Sequence, residues 1–283
     1  MSYQIHPDYP ERLNYIAGQL KDRYISADPF PHIVLDNFFD EDYIESLVSG
    51  FPDLSKTPVK EHFENSREVK WASHLELGIP NEHRRFIHFL NSQPFLSFLQ
   101  EISGISEVLI PDPYLTGGGL HQIKAGGLLK LHADFNKNIH TGLDRRLNAI
   151  VYLNKDWRED YGGHLELWDK DVIRCAQKVA PIANRLVIFS TTDFSYHGHP
   201  EELTCPLDRS RNSIALYYYS NGRPKSELNL QVVSSNTIYK LRPDSASDNS
   251  AFRSFNKENV IDTIKMLTPP IVLKALHKIK KSL

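Results

Sequence analysis

The segment Leu131-His132-Ala133-Asp134-Phe135 carries an imidazole and a carboxylate two residues apart. Alternate side chains of a β-strand share one face, so His132 and Asp134 point to the same side if this segment is extended. The later segment Tyr196-His197-Gly198-His199 offers further imidazoles on a second strand. Two histidines and one carboxylate leave one side of a metal ion open, whereas a closed structural zinc site uses four ligands, usually including cysteine. The pattern therefore predicts an open metal site.

The sequence around these two segments extends the pattern. Residues 147–157 read Leu-Asn-Ala-Ile-Val-Tyr-Leu-Asn-Lys-Asp-Trp, residues 162–167 read Gly-Gly-His-Leu-Glu-Leu, and residues 211–213 read Arg-Asn-Ser. The motifs HxD, YLNxDW, GGxLxL, SxHG and RxS resemble, in the same order, the core of the Fe(II)/2-oxoglutarate-dependent oxygenases, and most closely their prolyl 4-hydroxylase-like branch. The resemblance covers residues 119–220. Outside it, only residues 30–36 are similar to the family, where they look like its first strand.

The chain beyond Pro111 predicts short β-strands, because runs rich in Val, Ile, Leu and Tyr alternate with Gly or Asn-Lys and show no helical period. The predicted strands are 120–124, 128–134, 147–154, 164–168, 178–181, 185–190, 196–199 and 213–220. Alternation within the third strand places Asn148, Ile150 and Tyr152 on one face, which the family pattern makes the inner one. We expect a mainly β fold with helical support (α+β), whose core is a double-stranded β-helix, a cupin-like jelly roll.

Helical periodicity is confined to the flanks of this core. The predicted helices are Tyr9 to Tyr24, Glu41 to Gly50 with Asp40 as N-cap, Glu82 to Leu90, and Pro94 to Ile102 with Ser92 as cap. Residues 51–80 predict a long loop with one strand around Val69-Lys70-Trp71, and residues 245–250 predict a flexible loop. Residues 269–283 predict a basic amphipathic helix, which we interpret as docked on the protein in preference to a membrane surface or a partner.

These patterns divide one domain into three parts. Residues 1–110 form an N-terminal support region of helices and strands, residues 111–222 form the double-stranded β-helix core, and residues 223–283 form a C-terminal extension that ends in the basic helix.

The composition is that of a soluble globular protein, with 283 residues, 40% hydrophobic and 24% charged, and a net charge of −2. This balance gives no general attraction to nucleic acid, and we expect none as a partner. Two cysteines cannot build a disulfide framework in a chain of this length, which predicts free thiols and a cytoplasmic location. The sequence shows neither a signal-peptide pattern nor eighteen consecutive apolar residues, so we expect no membrane span. It leaves the oligomeric state open.

The resemblance implies that Fe(II) is held by His132, Asp134 and His197, which leaves three positions for 2-oxoglutarate and O2. Ascorbate is a candidate reductant. His199 shares the strand face of His197 and is the alternative distal ligand, although the SxHG match favours His197. Three other histidines match no ligand position of the family and are expected to lie outside the metal site: His121, His140 and His164.

The five-carbon dicarboxylate needs a cation for its distal carboxylate, and a guanidinium group binds a carboxylate through two parallel hydrogen bonds. The resemblance gives this role to Arg211 at the start of the RxS strand, with Arg209 as the alternative. Tyr152 is expected to donate its hydroxyl to the same carboxylate, unless it is a core tyrosine that is satisfied elsewhere. Gln122, ten residues before His132, occupies a position whose side chain faces the cosubstrate in the family.

The reaction implied by the resemblance is oxidative decarboxylation of 2-oxoglutarate to succinate and CO2, coupled to hydroxylation of an unactivated C–H bond. Asp134 favours hydroxylation, since related halogenases leave a gap at this position for chloride. Three functions remain open: hydroxylation of a peptidyl or free amino-acid substrate that resembles proline, the same chemistry on a sugar or natural-product small molecule, and a metal-binding jelly-roll module without turnover. The prolyl-hydroxylase-like core favours the first.

Overall fold

The structure, a computed structural model, describes residues 3–58, 60–74, 76–224, 227, 237–243, 245–251 and 254. The N-terminal helices are α1 (Arg12–Ile25), α2 (Glu41–Ser49), α3 (Asn81–Leu90) and α4 (Gln93–Ser103). The strands are β1 (His32–Asp36), β2 (Lys60–Asn65), β3 (Glu68–Ser73), β4 (Ile110–Pro111), β5 (Gly119–Lys124), β6 (Leu129–Ala133), β7 (Asp144–Tyr152), β8 (Leu165–Trp168), β9 (Cys175–Val179), β10 (Arg185–Ser190), β11 (His197–His199), β12 (Ser210–Ser220) and β13 (Ile238–Tyr239).

The strands form an antiparallel sheet that folds back on itself into two layers. One layer has the order β1-β10-β7-β12-β5, and the other has the order β6-β11-β8-β9. Strand β3 pairs with both β5 and β6 and so connects the layers. Strand β2 pairs with β3, β4 pairs with β12, and β13 pairs with β6. This is the predicted jelly roll with helical support, and the fold class is confirmed.

Strand β7 separates two apolar cores. Its residues Leu147, Ala149 and Val151 belong to the large core that also contains the buried faces of α1 to α4. Its residues Ile150 and Tyr152 pack against the smaller core between the two sheet layers. Each fully buried aliphatic side chain contributes about 1.5–3 kcal/mol relative to exposure. The predicted alternation is confirmed, and the helices leave the inner face of the sheet free for a polar site.

The predicted strands of the core are all present, with ends that differ by up to about three residues, within the usual scatter of such boundaries. Pairing accounts for the differences. Strand β12 starts at Ser210 because Ser210 pairs with Lys124 on β5, and it ends at Ser220 opposite Asp144 on β7. The composition of β12 alone does not indicate which residues of β5 and β7 it pairs with, so it does not predict where the strand ends.

Asp40 and Ser92 occupy the predicted N-cap positions of α2 and α4, but only the side chain of Asp40 makes a cap hydrogen bond. The Asp40 carboxylate accepts a hydrogen bond from the Tyr43 backbone N–H at 2.9 Å, as an N-cap residue does. The Ser92 hydroxyl instead donates to the Phe89 carbonyl oxygen at 2.6 Å, so it makes no cap hydrogen bond for α4. The short α3–α4 connection places this carbonyl within reach of the hydroxyl.

Residues 51–80 contain more strand structure than the sequence predicts. Strands β2 and β3 form a hairpin, in which the ring of His62 stacks on Trp71 with centroids 3.5 Å apart. Strand β3 agrees with the predicted strand, but the loop assigned to residues 60–65 is wrong. Lys60–Asn65 contains no β-branched residue, so its strand depends on cross-strand contacts, and composition is a poor guide there.

The predicted loop at residues 245–250 is also wrong, because residues 246–251 are helical. Asp248 lies buried there, and its carboxylate is 3.0 Å from the buried ammonium group of Lys130 on β6. A buried carboxylate requires such a partner, and the pair fixes this polar segment against the sheet. The predicted basic helix of residues 269–283 lies outside the described residues. Within the described part of the chain, no helix has the length and apolarity needed to cross a membrane.

Candidate metal centre and cosubstrate cavity

The strand register brings the three predicted metal ligands together. His132 on β6 pairs directly with His197 on β11, and Asp134 follows the end of β6. The Nε2 atoms of His132 and His197 lie 3.6 and 3.5 Å from the two carboxylate oxygens of Asp134. One potential ligand atom from each of the three residues lies within 4.8 Å of the others, and no other such group occurs among the described residues.

Backbone carbonyl groups fix both imidazoles in the tautomer that a metal requires. Nδ1 of His132 is 2.9 Å from the Lys130 carbonyl oxygen, and Nδ1 of His197 is 2.9 Å from the Ser195 carbonyl oxygen. A carbonyl oxygen only accepts, so each Nδ1 carries the proton and donates it. Each Nε2 therefore presents a lone pair. Burial, reinforced by the neighbouring His132, lowers the pKa of His197 to about 4, which keeps this ring neutral at physiological pH.

The carboxylate of Asp134 is held on one side. Its Oδ2 atom accepts hydrogen bonds from Arg145 at 2.8 Å and from Asn148 at 2.7 Å. Burial alone raises the pKa of Asp134, but the Arg145 guanidinium and the two imidazoles outweigh it and hold the pKa well below its usual range. The group is therefore an anion, and its Oδ1 atom makes no such bond to the residues that the structure describes. Arg145 was not among the predicted site residues, because it lies seven residues before Tyr152 on β7 and outside the sequence motifs.

The triad lies in a cavity of about 290 Å³ between the two layers. Arg145 is fully buried beside it, and its guanidinium stacks 3.4 Å from the ring centroid of Tyr217 and 4.6 Å from that of Phe135. The hairpin contributes Phe63, Glu68 and Lys70 to the lining, and β13 contributes Tyr239.

Arg211 lines the same cavity, whereas Arg209 does not. The Nε atom of the buried Arg211 donates to the Gly163 carbonyl oxygen at 2.7 Å, and Nη2 donates to the Tyr152 hydroxyl oxygen at 3.0 Å. Gly163 has φ +71°, and a Cβ atom there would lie 2.5 Å from Leu203 and 3.0 Å from Arg211 Cδ, so this anchor requires glycine. Arg209 is exposed and donates to the Lys155 carbonyl oxygen.

Tyr152 supports Arg211 from behind. It is fully buried, its hydroxyl accepts the Arg211 hydrogen bond, and its ring lies under the guanidinium at 4.9 Å. It is not among the residues that line the cavity. The structure thus shows a contact between Tyr152 and Arg211, while a contact between Tyr152 and a carboxylate stays a prediction.

The structure contradicts the prediction for Gln122. Its side-chain oxygen accepts from the buried Leu54 N–H at 3.0 Å, and its amide nitrogen donates to the Ser210 hydroxyl at 3.1 Å. The cavity-lining residues of β5 are instead His121 and Ile123, because they pair with Ser213 and Arg211 on β12, which also face inward. The resemblance to the family assigned Gln122 to the cavity, whereas its neighbours on β5 line it.

His199 is a second inward-facing imidazole on β11. It lines the cavity, but it pairs with Leu129 and not with His132, and it does not belong to the group of ligand atoms around Asp134. The intervening Gly198 lets β11 approach β6 closely, since a Cβ atom there would lie 2.7 Å from the Leu129 carbonyl oxygen. Burial, together with Arg211, lowers the pKa of His199 well below its usual value.

The donor set fits Fe(II). Two imidazole nitrogens and one carboxylate oxygen on the wall of an open cavity are the ligands that non-haem Fe(II) oxygenases use, with positions left for other ligands. The free cysteines Cys175 and Cys205 do not belong to the cluster, which argues against a closed zinc site.

Residues 118–219 match the family model of the 2OG-Fe(II) oxygenase superfamily. Over 200 residues the chain is 26% identical to the mouse (Mus musculus) prolyl 3-hydroxylase OGFOD1. This match covers 69% of the chain but 34% of the relative, so the chain spans about a third of the length of that protein.

Two solved structures share the fold. A Pseudomonas putida prolyl-4-hydroxylase superposes with a TM-score of 0.52 at 17% identity, over 73% of this chain and 100% of the other. A Trichoplax adhaerens prolyl hydroxylase, solved with a peptide fragment of the hypoxia inducible factor oxygen degradation domain, superposes with a TM-score of 0.54 at 16% identity, over 74% and 91%. Residues 118–219 therefore carry the sequence pattern of the 2OG-Fe(II) oxygenase superfamily, on a fold shared with prolyl hydroxylases and around a His-Asp-His cluster that fits Fe(II).

Proposed function

We propose that this protein hydroxylates an unactivated C–H bond of a proline-like residue, either within a peptide or as the free amino acid, and releases succinate and CO2. The observation that carries the proposal is that His132, Asp134 and His197 share one cavity with the buried cation Arg211. The likeness to a prolyl 3-hydroxylase supports the choice of substrate.

The roles of the residues follow from their contacts. His132, Asp134 and His197 would hold Fe(II), which, with O2 and 2-oxoglutarate, supplies the oxidation of the C–H bond. The hydrogen bonds from Arg145 and Asn148 orient the Asp134 carboxylate and leave Oδ1 available to the metal.

Arg211 is suited to the distal carboxylate of 2-oxoglutarate. Its Nε and one Nη2 proton are used by Gly163 and Tyr152, and the remaining donors lie on the two terminal nitrogens that form a fork. Among the described residues Arg211 has no carboxylate partner. A buried cation requires an anionic partner, which a bound ligand would supply here.

The cavity favours a substrate that inserts one small group. At about 290 Å³ it lies at the lower end of the roughly 300–1,000 Å³ usual for ligand sites, and the cosubstrate occupies part of it. Aromatic rings line it, including Phe63, Phe135 and Tyr239, and they suit a compact apolar ring while excluding water. The remainder of a larger substrate would lie outside.

The test is a panel assay of the Fe(II)-loaded protein with 2-oxoglutarate, in which succinate formation and the gain of one oxygen atom by the substrate are measured together. Free proline, prolyl peptides and representative sugars form the panel, and Asp134→Ala is the inactive control. Stimulation by proline or prolyl peptides supports the proposal. If only a sugar stimulates succinate formation, the protein performs the same chemistry on a small molecule and the proposed substrate is wrong. If no succinate forms with or without a substrate, the protein is a metal-binding module without turnover.

A further inference from the structure

We propose that His199 is a recognition group for the cosubstrate, which contacts its distal carboxylate beside Arg211 and so selects a dicarboxylate over a 2-oxo acid that ends in a methyl group. This inference deepens the proposed function, because it requires that the cavity binds a 2-oxo acid at all.

His199 is a buried polar side chain with at least one ring nitrogen left for a ligand, because the Glu201 backbone is the one protein group described near enough to interact with the ring as a hydrogen-bond partner. It is 3% exposed, and neither ring nitrogen makes a hydrogen bond of good geometry to the described protein atoms. The other two inward-facing histidines of this wall, His132 and His197, each donate Nδ1–H to a backbone carbonyl oxygen. A buried polar group without a hydrogen-bond partner destabilises the folded protein, so such a group indicates a ligand that supplies the missing partner.

The position of His199 indicates which part of the ligand it meets. His199 lines the cavity and stands one step along β11 from His197, on the side away from the β6 ligand His132. Arg211 exerts the largest electrostatic effect of any charged group on His199, and Lys70 acts in the same sense. The imidazole therefore shares the cavity with the guanidinium and lies within its electrostatic range.

The charges around His199 favour an anion. Lys70 is paired with Glu68 at 3.2 Å, whereas Arg211 has only the neutral acceptors Gly163 and Tyr152 among the described residues. A carboxylate has two oxygens and about four acceptor sites, so it accepts from the Arg211 fork and from one imidazole N–H at the same time. His199 and Arg211 then hold the same group from two elements, β11 and β12.

Direct metal binding is the competing role for His199. The three ligand atoms that approach one another belong to His132, Asp134 and His197, and His199 is absent from this group. The register explains this difference, because His199 faces Leu129 across β6 while His197 faces His132.

The experiment measures binding without turnover, by calorimetric titration of the Mn(II)-loaded protein under anaerobic conditions. The probes are 2-oxoglutarate and pyruvate, which share the 2-oxo acid end and differ in the distal carboxylate. In His199→Val the Kd for 2-oxoglutarate should rise by about 10- to 100-fold, as expected for one lost hydrogen bond to a charged group, while the Kd for pyruvate changes less than about twofold.

Further variants separate recognition from general damage. His199→Asn retains an N–H donor and should keep the 2-oxoglutarate Kd within about fivefold of wild type, whereas His199→Leu, a second apolar replacement, should behave like His199→Val. His164→Val is the matched control, because this half-buried imidazole contacts Glu159 and does not line the cavity. Mn(II) stoichiometry is measured for each variant, and it should remain that of wild type.

An equal loss of affinity for both acids in His199→Val, or no loss for either, would overturn the inference while 2-oxoglutarate binding by the wild type stands. Loss of Mn(II) from His199→Val and His199→Leu would also overturn it, by making His199 a metal ligand. A wild-type protein that binds neither acid would overturn the proposed function together with the inference.

Discussion

The two ends of the cavity differ in how completely the protein satisfies its own polar groups. At the metal end, the Nδ1 atoms of His132 and His197 and the Oδ2 atom of Asp134 all have protein partners. At the cosubstrate end, the imidazole of His199 has none of good geometry, and Arg211 has no carboxylate partner among the described residues. The metal end is therefore organised before binding, while the cosubstrate end is completed by its ligand.

The largest effect is expected at the metal end, in Asp134→Ala. The methyl group neither coordinates Fe(II) nor balances its charge, and it also leaves Arg145 buried without its carboxylate. Iron content and succinate formation should both fall to background. Asp134→Glu should lower activity as well, since the extra methylene moves the carboxylate by about 1 Å and catalytic geometry tolerates little displacement. Full activity in Asp134→Ala would remove this residue from the site.

The two histidines of β11 provide a direct comparison of the two ends. His197→Ala should lose iron and all turnover, because it removes a ligand. His199→Ala should retain iron and show measurable succinate formation at high 2-oxoglutarate concentration, because only a cosubstrate contact is lost. Metal content and succinate are measured on the same samples. An active, iron-loaded His197→Ala protein beside an empty His199→Ala protein would exchange the two assignments.

Arg145→Met tests whether the metal end is organised by its surroundings. Loss of the hydrogen bond to Asp134 Oδ2 should weaken Mn(II) binding by ~10- to 100-fold, the usual effect of removing a group that orients a ligand. The adjacent Arg146 is the matched control: it is also buried and ion-paired, but its partners are Glu107 and Glu227. Arg146→Met should change stability and leave Mn(II) affinity unaltered, as calorimetric titration would show. Equal Mn(II) affinities in both variants would contradict the role of Arg145.

At the cosubstrate end, Arg211→Lys should raise the KM for 2-oxoglutarate by on the order of tenfold, with much less effect on the KM of the primary substrate, because a point charge replaces a planar fork. Arg209→Lys should change neither value appreciably, since Arg209 is exposed and contacts the Lys155 carbonyl oxygen. Steady-state kinetics with each substrate varied in turn provides the measurement. The opposite order of effects would give Arg209 the role.

The sequence was informative where a motif and a strand period coincide. The HxD spacing placed His132 and Asp134 on one face, and the alternation of β7 separated Asn148 and Ile150 from the helix-facing residues. The fold class followed from the density of short apolar runs. These features depend on residues close together in the chain, so they can be predicted from a single sequence.

Features that depend on a partner element were missed. The strand β2 depends on the stacking of His62 on Trp71, and the helical segment at residues 246–251 depends on the pairing of Asp248 with Lys130. The inward face of β5 is set by its pairing with β12, where Arg211 is opposite Ile123. Paired residues of neighbouring strands share a face, so the expected inward position of Arg211 would have predicted that its partner on β5 also faces inward. The pairing register of β5 and β12 was needed to identify that partner as Ile123.

The smallest functional effect is expected on β5, where neighbouring residues face opposite sides. In Gln122→Met, the buried Leu54 N–H loses its acceptor, which should lower the free energy of unfolding by about 1–3 kcal/mol while the 2-oxoglutarate Kd stays within about twofold of wild type. His121→Leu should raise that Kd, because His121 lines the cavity. Denaturant unfolding and anaerobic titration of the Mn(II)-loaded protein measure the two quantities. A Gln122→Met protein of normal stability and weakened 2-oxoglutarate binding would restore the predicted orientation of Gln122 and reverse the faces of β5.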